Sequence, residues 1–383
     1  MNPLQNPFNP GPGLAPPVLA GRDQVLAQGR LLWGRLAQSQ SQPGLLLLGL
    51  RGSGKTRLLR ALAADAGQAG LRSALVEAHF GRPLALLLVP ALRTLLLAQG
   101  SGPGTEGALA VLNSFSGAHT KLPAAGPSKP GLADSGDLEA DLASLAEALG
   151  AAAQAQGQAL LLCVDEAQAL DSGELSALLW AQHRLAQAQL PFGLALAGLP
   201  CLESLSEAER GLAEKVLEIV DLEPLDRDAA ALALRSPAQA LGVEWDADAL
   251  SEVLRQAKGL PYLLQLWGAE AWSAAGGSAI RLDAVRRAAP AAAARLDAEF
   301  YGPGFRHLSP REKNYLRSMA HLGSGPRRSS DIADSMDAKI TALGPLRARL
   351  IKQGLIYSPA HGLMAFAMPG YDDFMRRVMP NFR

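Results

Sequence analysis

The feature that most constrains this fold is a stretch of eight residues, Gly49-Leu50-Arg51-Gly52-Ser53-Gly54-Lys55-Thr56. It fits the pattern Gly-x-x-x-x-Gly-Lys-Ser/Thr in full. The apolar run Leu45–Leu48 precedes it and predicts a buried strand, and the helical pattern Thr56–Gly67 follows it. Strand, glycine-rich turn and helix in this order predict a phosphate-binding loop. All eight residues are therefore candidate nucleotide-binding residues.

The residue types in this loop suit phosphate chemistry. Glycines let the backbone curl so that its N–H groups point at phosphate oxygens, and the N-terminus of the following helix adds partial positive charge. Lys55 can reach the β- and γ-phosphates, and the Thr56 hydroxyl can hold Mg²⁺. ATP and Mg²⁺ are therefore the predicted ligand and cofactor. The alternative is a chance match in a chain with 39 glycines, which the flanking strand and helix disfavour.

An acidic pair, Asp165-Glu166, ends a second apolar run, Leu160–Val164. A carboxylate at the C-terminal end of a parallel strand lies over the crevice where ligands bind. Asp165 is predicted to act on Mg²⁺, directly or through water. Glu166 is predicted to polarise the attacking water as general base, with Lys55 as the second catalytic residue. The alternative is a strand that leaves the sheet into a solvated acidic turn.

The patterning along the chain predicts four regions. Residues 1–17, with six Pro and three Asn, are predicted to be a flexible arm. In residues 18–225, strands alternate with helices, which indicates an α/β core with a parallel sheet between helices. The segment 100–136 within it has 8 Gly, 4 Pro and 5 Ser and is predicted to be a flexible insertion. Residues 226–295 show only helical patterns, and residues 296–383 form the last region.

The last region begins its first helix at Ser309-Pro310-Arg311-Glu312, a capping pattern. Two further helices near 330–334 and 338–353, then a hairpin, follow in the order of a winged helix. In this interpretation 338–353 is the recognition helix. Its predicted contacts to duplex DNA are basic: Lys339, Arg347, Arg349 and Lys352. Residues 296–383 carry 13 Lys/Arg against 8 Asp/Glu, whereas the remainder carries 23 against 28.

The two motifs together resemble the P-loop NTPases. The acidic pair and the helical unit after the sheet narrow the resemblance to the AAA+ or STAND-type ATPases. Val18–Asp23 is similar to the segment that helps to hold adenine in the origin-recognition-like ATPases, and Gly259–Gln265 to the Gly-x-Pro segment of their helical lid. The resemblance covers 18–276. It implies that Val18, Leu19 and Pro261 contact the nucleotide, that 226–295 is a lid, and that a winged helix is a common C-terminal partner.

Two departures from that family indicate slow hydrolysis. The strand Leu194–Leu199 has no polar sensor side chain at its tip, and the lid segment Pro261–Trp267 has no sensor arginine. Arg210 and Lys215 are either a finger that acts in trans or solvated surface charges. The sequence therefore predicts a slow ATPase that acts as a switch and positions a winged helix on duplex DNA. The alternative is a nucleotide-stabilised regulatory module whose winged helix holds a protein partner.

Composition excludes several other classes. Cys163 and Cys201 are too few for a disulfide framework or a four-ligand zinc site, and reduced thiols favour a cytoplasmic protein. The N-terminus lacks the pattern of a signal peptide. The most apolar stretch, Leu84–Ala98, is too short and too interrupted to span a bilayer. A monomer, a dimer and a ring all remain open.

Overall fold

The computed structural model describes residues 2–11, 13–40, 42–98, 100, 103–122, 126–200 and 207–381. Cys201 therefore lies outside the described residues. The elements of the α/β core are α1 Asp23–Ala37, β1 Gly44–Leu48, α2 Lys55–Gln68, β2 Leu71–Glu77, α3 Leu84–Ala98, α4 Pro103–His119, α5 Leu138–Ala155, β3 Ala159–Asp165, α6 Ser172–Gln187, β4 Phe192–Gly198, α7 Glu207–Val216 and β5 Leu217–Asp221.

The five strands form one parallel sheet in the order β2-β3-β4-β1-β5. The strands β1 and β3 therefore lie on either side of β4. Because the strands are parallel, their C-terminal ends share one edge of the sheet. The loop after β1 and the acidic pair at the end of β3 are brought to that edge, as the sequence predicts.

The three central strands β3, β4 and β1 are apolar except for Asp165 at the end of β3, as expected of a sheet with helices on both faces. On β1, Leu46 and Leu48 face one core, which includes residues of α3, α4, α5 and α6. Leu45 and Leu47 face the other core, with residues of α1 and α2. Among the described residues, no helix combines the length and apolar character needed to cross a membrane.

The prediction of a flexible insertion at 100–136 is wrong for residues 103–119, which form α4. This helix packs on α5 through Ala108, Val111, Leu112 and Phe115, all of them buried. Their spacing of three, four and seven residues is that of an amphipathic helix face. Glycine, proline and serine between these positions concealed the pattern. A buried Asp141 then holds the end of the segment, because its carboxylate accepts hydrogen bonds from Ser135 and Gly136.

The region after the sheet is a compact helical unit. Its elements are α8 Arg227–Gln239, β6 Glu244–Trp245, α9 Ala247–Ala257, α10 Pro261–Ala274, β7 Ala279–Ile280 and α11 Leu282–Arg295. Four helices occupy this region, in agreement with the helical patterns of residues 226–295. The sequence did not indicate β6 and β7, a two-residue parallel pair.

The N-terminal arm is packed against this unit, so the prediction of a flexible arm is not what the structure shows. Phe8 is only 4% exposed and lies edge-on to Trp245 and Trp272, with ring centroids 6.3 and 6.4 Å away. The Asn6 side chain donates a hydrogen bond to the Ala269 carbonyl. A Cβ at Gly268 would lie 2.7 Å from the Phe8 ring, so the glycine makes room for it.

The C-terminal unit begins with a π-helix, Leu296–Tyr301, and has its own buried core. Its other elements are α12 Gly302–Arg306, α13 Pro310–His321, β8 Arg327–Arg328, α14 Ser329–Ser335, α15 Ile340–Lys352, β9 Ile356–Tyr357, β10 Leu363–Phe366 and α16 Tyr371–Val378. The three strands form an antiparallel sheet in the order β8-β10-β9. The predicted capping pattern is present, since Ser309 and Glu312 form a capping box at the start of α13.

Candidate active site

The loop between β1 and α2 has the backbone of an anion cradle. Gly52 and Gly54 have φ angles of +85° and +91°, a region that L side chains rarely adopt. These turns let the chain curl between the end of β1 and the start of α2. The first N–H groups of α2 have no partner within the helix. The loop can therefore direct backbone donors at an anion.

Lys55 and Ser53 add polar groups inside this cradle. The ammonium of Lys55 is buried and donates to the carbonyls of Gly49 and Leu50, at 2.9 and 3.1 Å. The Ser53 side chain is also buried, and its Oγ has no hydrogen-bond partner in the part of the chain that the structure describes. A buried hydroxyl without a partner is costly. A phosphate oxygen in the cradle would offer an acceptor to both side chains.

The acidic pair lies beside the cradle. The Thr56 hydroxyl donates a hydrogen bond to the carboxylate of Asp165. Burial raises the pKa of Asp165, although this hydrogen bond opposes the rise. Two hard oxygen donors next to a phosphate cradle suit Mg²⁺, which prefers one or two protein oxygens together with phosphate and water.

Glu166 leaves the end of β3 in a sharp turn. Its φ is +54°, in the left-handed region, and its backbone N–H donates to Oδ1 of Asp165 at 2.9 Å. The turn places Glu166 in the lining of the cavity that also contains Lys55. The predicted general base and the predicted phosphate contacts therefore share one cavity.

This cavity has a volume of about 430 Å³, within the range of small-molecule sites. Its lining includes Val18, Leu19 and Pro261, the three contacts that the family resemblance implies. The arm also contributes Asn9, Pro10, Gly11, Gly13, Leu14 and Pro16, and no sequence pattern indicated this.

Two further contacts at the loop were missed by sequence reasoning. Arg22 donates to the carbonyls of Ser53 and Glu223, at 3.3 and 2.9 Å, and burial lowers the pKa of its guanidinium. The Tyr262 N–H donates to the Gly52 carbonyl at 3.1 Å, and its ring stacks on Phe300 with centroids 4.8 Å apart. Arg22 belongs to the Val18–Asp23 segment, but a single charge there gave no signal of its partner in the loop.

Arg51 lines the same cavity, and its side chain also reaches the C-terminal unit. The guanidinium donates to the carbonyls of Gly354 and Gln353, at 3.2 and 3.3 Å. A contact of Arg51 with phosphate stays a prediction. The Arg51 backbone N–H donates to the Ala367 carbonyl at 3.1 Å. Both acceptor segments belong to the C-terminal unit, and sequence gave no means of placing that unit on the loop.

The predicted DNA contacts are spread around α15. Lys339 precedes the helix and is exposed, and Arg347 is half-buried. Arg349 pairs with Glu312 at 3.4 Å. The Lys352 ammonium lies 5.7 Å from the centroid of the Phe80 ring, in the α/β core. Two of the four cations therefore have partners within the protein.

The loop with its lysine, the acidic pair and the parallel sheet define a P-loop NTPase core. Residues 18–194 match the AAA ATPase domain family, and residues 298–375 match a family described as a domain of unknown function, DUF8462. This part of the chain is therefore similar to the AAA ATPase domain, in line with the resemblance noted in the sequence. No protein with a curated description matches it in sequence.

Solved structures share this architecture. The Walker-type ATPase of Pyrococcus abyssi is 21% identical with a TM-score of 0.54, over 90% of this chain and 94% of that one. Cdc6p of Pyrobaculum aerophilum is 16% identical with a TM-score of 0.49, over 97% and 96%. RuvB of Thermotoga maritima, a Holliday junction branch migration motor, is 15% identical with a TM-score of 0.45, over 93% and 95%. The first likeness supports the fold, and the other two are too loose to add to it.

Proposed function

We propose that this chain is an ATP-dependent switch that binds Mg²⁺-ATP, hydrolyses it slowly and thereby changes the position of its C-terminal unit. One observation carries the proposal. The phosphate loop itself holds the C-terminal unit, through three hydrogen bonds from Arg51 to Gln353, Gly354 and Ala367. A change in the loop on binding or losing a phosphate would act directly on these contacts.

The cradle fits a triphosphate by its own chemistry. Gly52 and Gly54 supply the backbone curl, and Lys55 and Ser53 supply side-chain donors. Mg²⁺, held by Thr56 and Asp165, would neutralise charge on the phosphate oxygens. The remaining task is to activate a water molecule, and the carboxylate of Glu166 lies in the same cavity to accept its proton.

The proposal specifies slow turnover. The side chains at the tip of β4 are apolar, and residues 261–267 of the lid contain no arginine. Preorganised charges aimed at the transition state are a large part of catalytic power. A site without these two groups keeps nucleotide for longer, which suits a switch.

We assign duplex DNA as the partner of the C-terminal unit. Its element order and its three-stranded sheet are those expected of a winged helix, and its net charge is positive. Lys339, directly before α15, and Arg347, on the helix, remain for phosphate contacts, while Arg349 and Lys352 would have to leave their present partners. Such binding would weaken steeply with salt.

The test is ATP hydrolysis by the full chain with Mg²⁺, with and without duplex DNA. We expect slow turnover that rises with DNA, falls as salt is added, and disappears in Lys55→Ala. The exposed Arg35→Ala is the matched control, which should behave as the unchanged protein. Turnover that does not respond to DNA at any salt would contradict the DNA assignment, and turnover that persists in Lys55→Ala would contradict the site.

A protein partner is the second candidate, and one observation favours it. Ile340, at the start of α15, is 46% exposed although it is a large apolar residue. Exposed apolar side chains on a helix suit a protein surface better than a phosphate backbone. If DNA has no effect while nucleotide is held tightly, this candidate replaces the first.

A further inference from the structure

We propose that Gln168 is a positioning residue for ATP hydrolysis, which orients Glu166 and ties it to the tip of β4. The inference rests on the proposed ATPase function and names a residue that neither motif contains. Gln168 lies in a single turn of 3-10 helix, Ala167–Ala169, directly after the acidic pair. Gln168 is buried, and it lies near the C-terminal ends of β3 and β4.

The two ends of the Gln168 amide have different partners. Its Oε1 accepts a hydrogen bond from the backbone N–H of Leu199 at 3.0 Å. Its Nε2 donates to Oε2 of Glu166. A backbone N–H can only donate and an ionised carboxylate can only accept, so the amide has one orientation that satisfies both. The side chain is thus a directional link from Leu199 to Glu166.

The tip of β4 has no polar side chain, but the backbone N–H of Leu199 is a polar group there, and Gln168 links it to Glu166. A general base is effective only when its carboxylate is held within hydrogen-bond reach of the reacting water. The Glu166 side chain has one more rotatable bond than an aspartate side chain, so a hydrogen bond to one of its oxygens restricts the carboxylate. The other carboxylate oxygen then remains for the water.

The same link reaches the C-terminal unit. A Cβ placed on Gly354 would lie 2.8 Å from Cδ1 of Leu199, so the Leu199 side chain lies directly against that glycine. Gly354 also accepts the hydrogen bond from Arg51. The docked C-terminal unit therefore contacts Leu199, and the Leu199 N–H donates the hydrogen bond that orients Gln168. Through Gln168, the position of the unit would influence the general base.

A purely structural role makes a different prediction. If Gln168 only fills space and satisfies the Leu199 N–H, its loss would lower stability, and nucleotide binding would weaken with the fold. If it positions Glu166, its loss lowers the rate of the chemical step and leaves binding intact. A substitution of Gln168 would then have no further effect in a chain whose Glu166 can no longer act as a base.

The experiment compares single-turnover hydrolysis and ATP affinity in Gln168→Met, Gln168→Glu and the unchanged chain. Methionine keeps the length without hydrogen bonds, and glutamate can accept from Leu199 but cannot donate to Glu166. We expect both to slow the chemical step by about 10–100-fold, with ATP affinity within about threefold. In the Glu166→Gln background, Gln168→Met should slow it by less than about twofold.

The control is Gln182→Met. Gln182 is also a buried glutamine, and its side chain donates to the Gln42 carbonyl away from the cavity. It should lose stability without a change in the chemical step. Two results would overturn the Gln168 inference and leave the proposed ATPase function standing. One is hydrolysis at the unchanged rate in the Gln168 variants, and the other is an undiminished effect of Gln168→Met in the Glu166→Gln background. No hydrolysis dependent on Glu166 in the unchanged chain would overturn the proposed function and this inference together.

Discussion

The variant Glu166→Gln is expected to hydrolyse ATP about 10²–10⁴-fold more slowly than the unchanged chain, which is the usual contribution of a general base. Glutamine keeps the size of the side chain and can still hydrogen-bond, but it cannot take a proton from water. The phosphate contacts of Lys55 and the loop are untouched, so ATP affinity should stay within about threefold. Single-turnover hydrolysis and equilibrium binding of ATP measure the two quantities separately.

The matched control is Glu147→Gln, on α5. Glu147 pairs with Arg184 at 2.7 Å on the surface, outside the cavity. Its neutralisation should leave both the rate and the affinity unchanged. A Glu166→Gln protein that hydrolyses ATP at the rate of the control would show that Glu166 is not the base.

The second large effect concerns stability. Phe8→Ala is expected to lower the free energy of unfolding of the helical unit by about 3–5 kcal/mol, the cost of deleting a buried aromatic side chain. The ring fills a space between Trp245 and Trp272 that Gly268 leaves open. Urea unfolding followed by tryptophan fluorescence measures the loss, because two of the five tryptophans, Trp245 and Trp272, lie against the ring.

Leu4→Ala provides the control for Phe8→Ala, since Leu4 lies in the same arm and is 95% exposed. It should change the free energy of unfolding by less than about 0.5 kcal/mol. Equal, small effects of the two substitutions would mean that the arm does not pack on the helical unit. Phe8→Ala should also weaken ATP binding, because the arm beyond Phe8 lines the cavity through Asn9, Pro10, Gly11, Gly13, Leu14 and Pro16.

The elements that sequence predicted well are those whose signal is local. The loop 49–56 carries its own motif, and the apolar runs that become β1, β3 and β4 show their burial directly in composition. The position of Asp165 at the same sheet edge as the loop followed from the rule that parallel strands end at one edge of a sheet. These inferences needed no knowledge of distant contacts.

The features that sequence missed depend on contacts between distant residues. Phe8 is one aromatic residue in a segment rich in proline and asparagine, and its partners lie more than 200 positions away. The acceptors of Arg51 lie about 300 positions away. Gln168 is near the acidic pair in sequence, but its role depends on Leu199, which belongs to the neighbouring strand end. Periodicity and composition carry no information about such pairs.

The central claim is that the nucleotide controls where the C-terminal unit lies, and a distance between the two parts tests it most directly. Spin labels would be attached to two introduced cysteines at exposed positions. Leu97→Cys lies on α3 of the α/β core, and Ala360→Cys lies in the turn between β9 and β10. Cys163 can stay, because burial raises the pKa of its thiol to about 12. Cys201 would be replaced by serine.

The labels would be measured without nucleotide, with Mg²⁺-ADP, and with Mg²⁺-ATP in the Glu166→Gln background, which preserves ATP. Without nucleotide, we expect a single distance between the labels, that of the C-terminal unit docked on the phosphate loop. With ATP and with ADP, we expect different fractions of molecules at this docked distance and at a second distance, that of a released C-terminal unit. Arg51→Ala, which loses two hydrogen bonds to the C-terminal unit, should raise the released fraction in every state. One unchanged distance in all three nucleotide states, with nucleotide bound, would contradict the account.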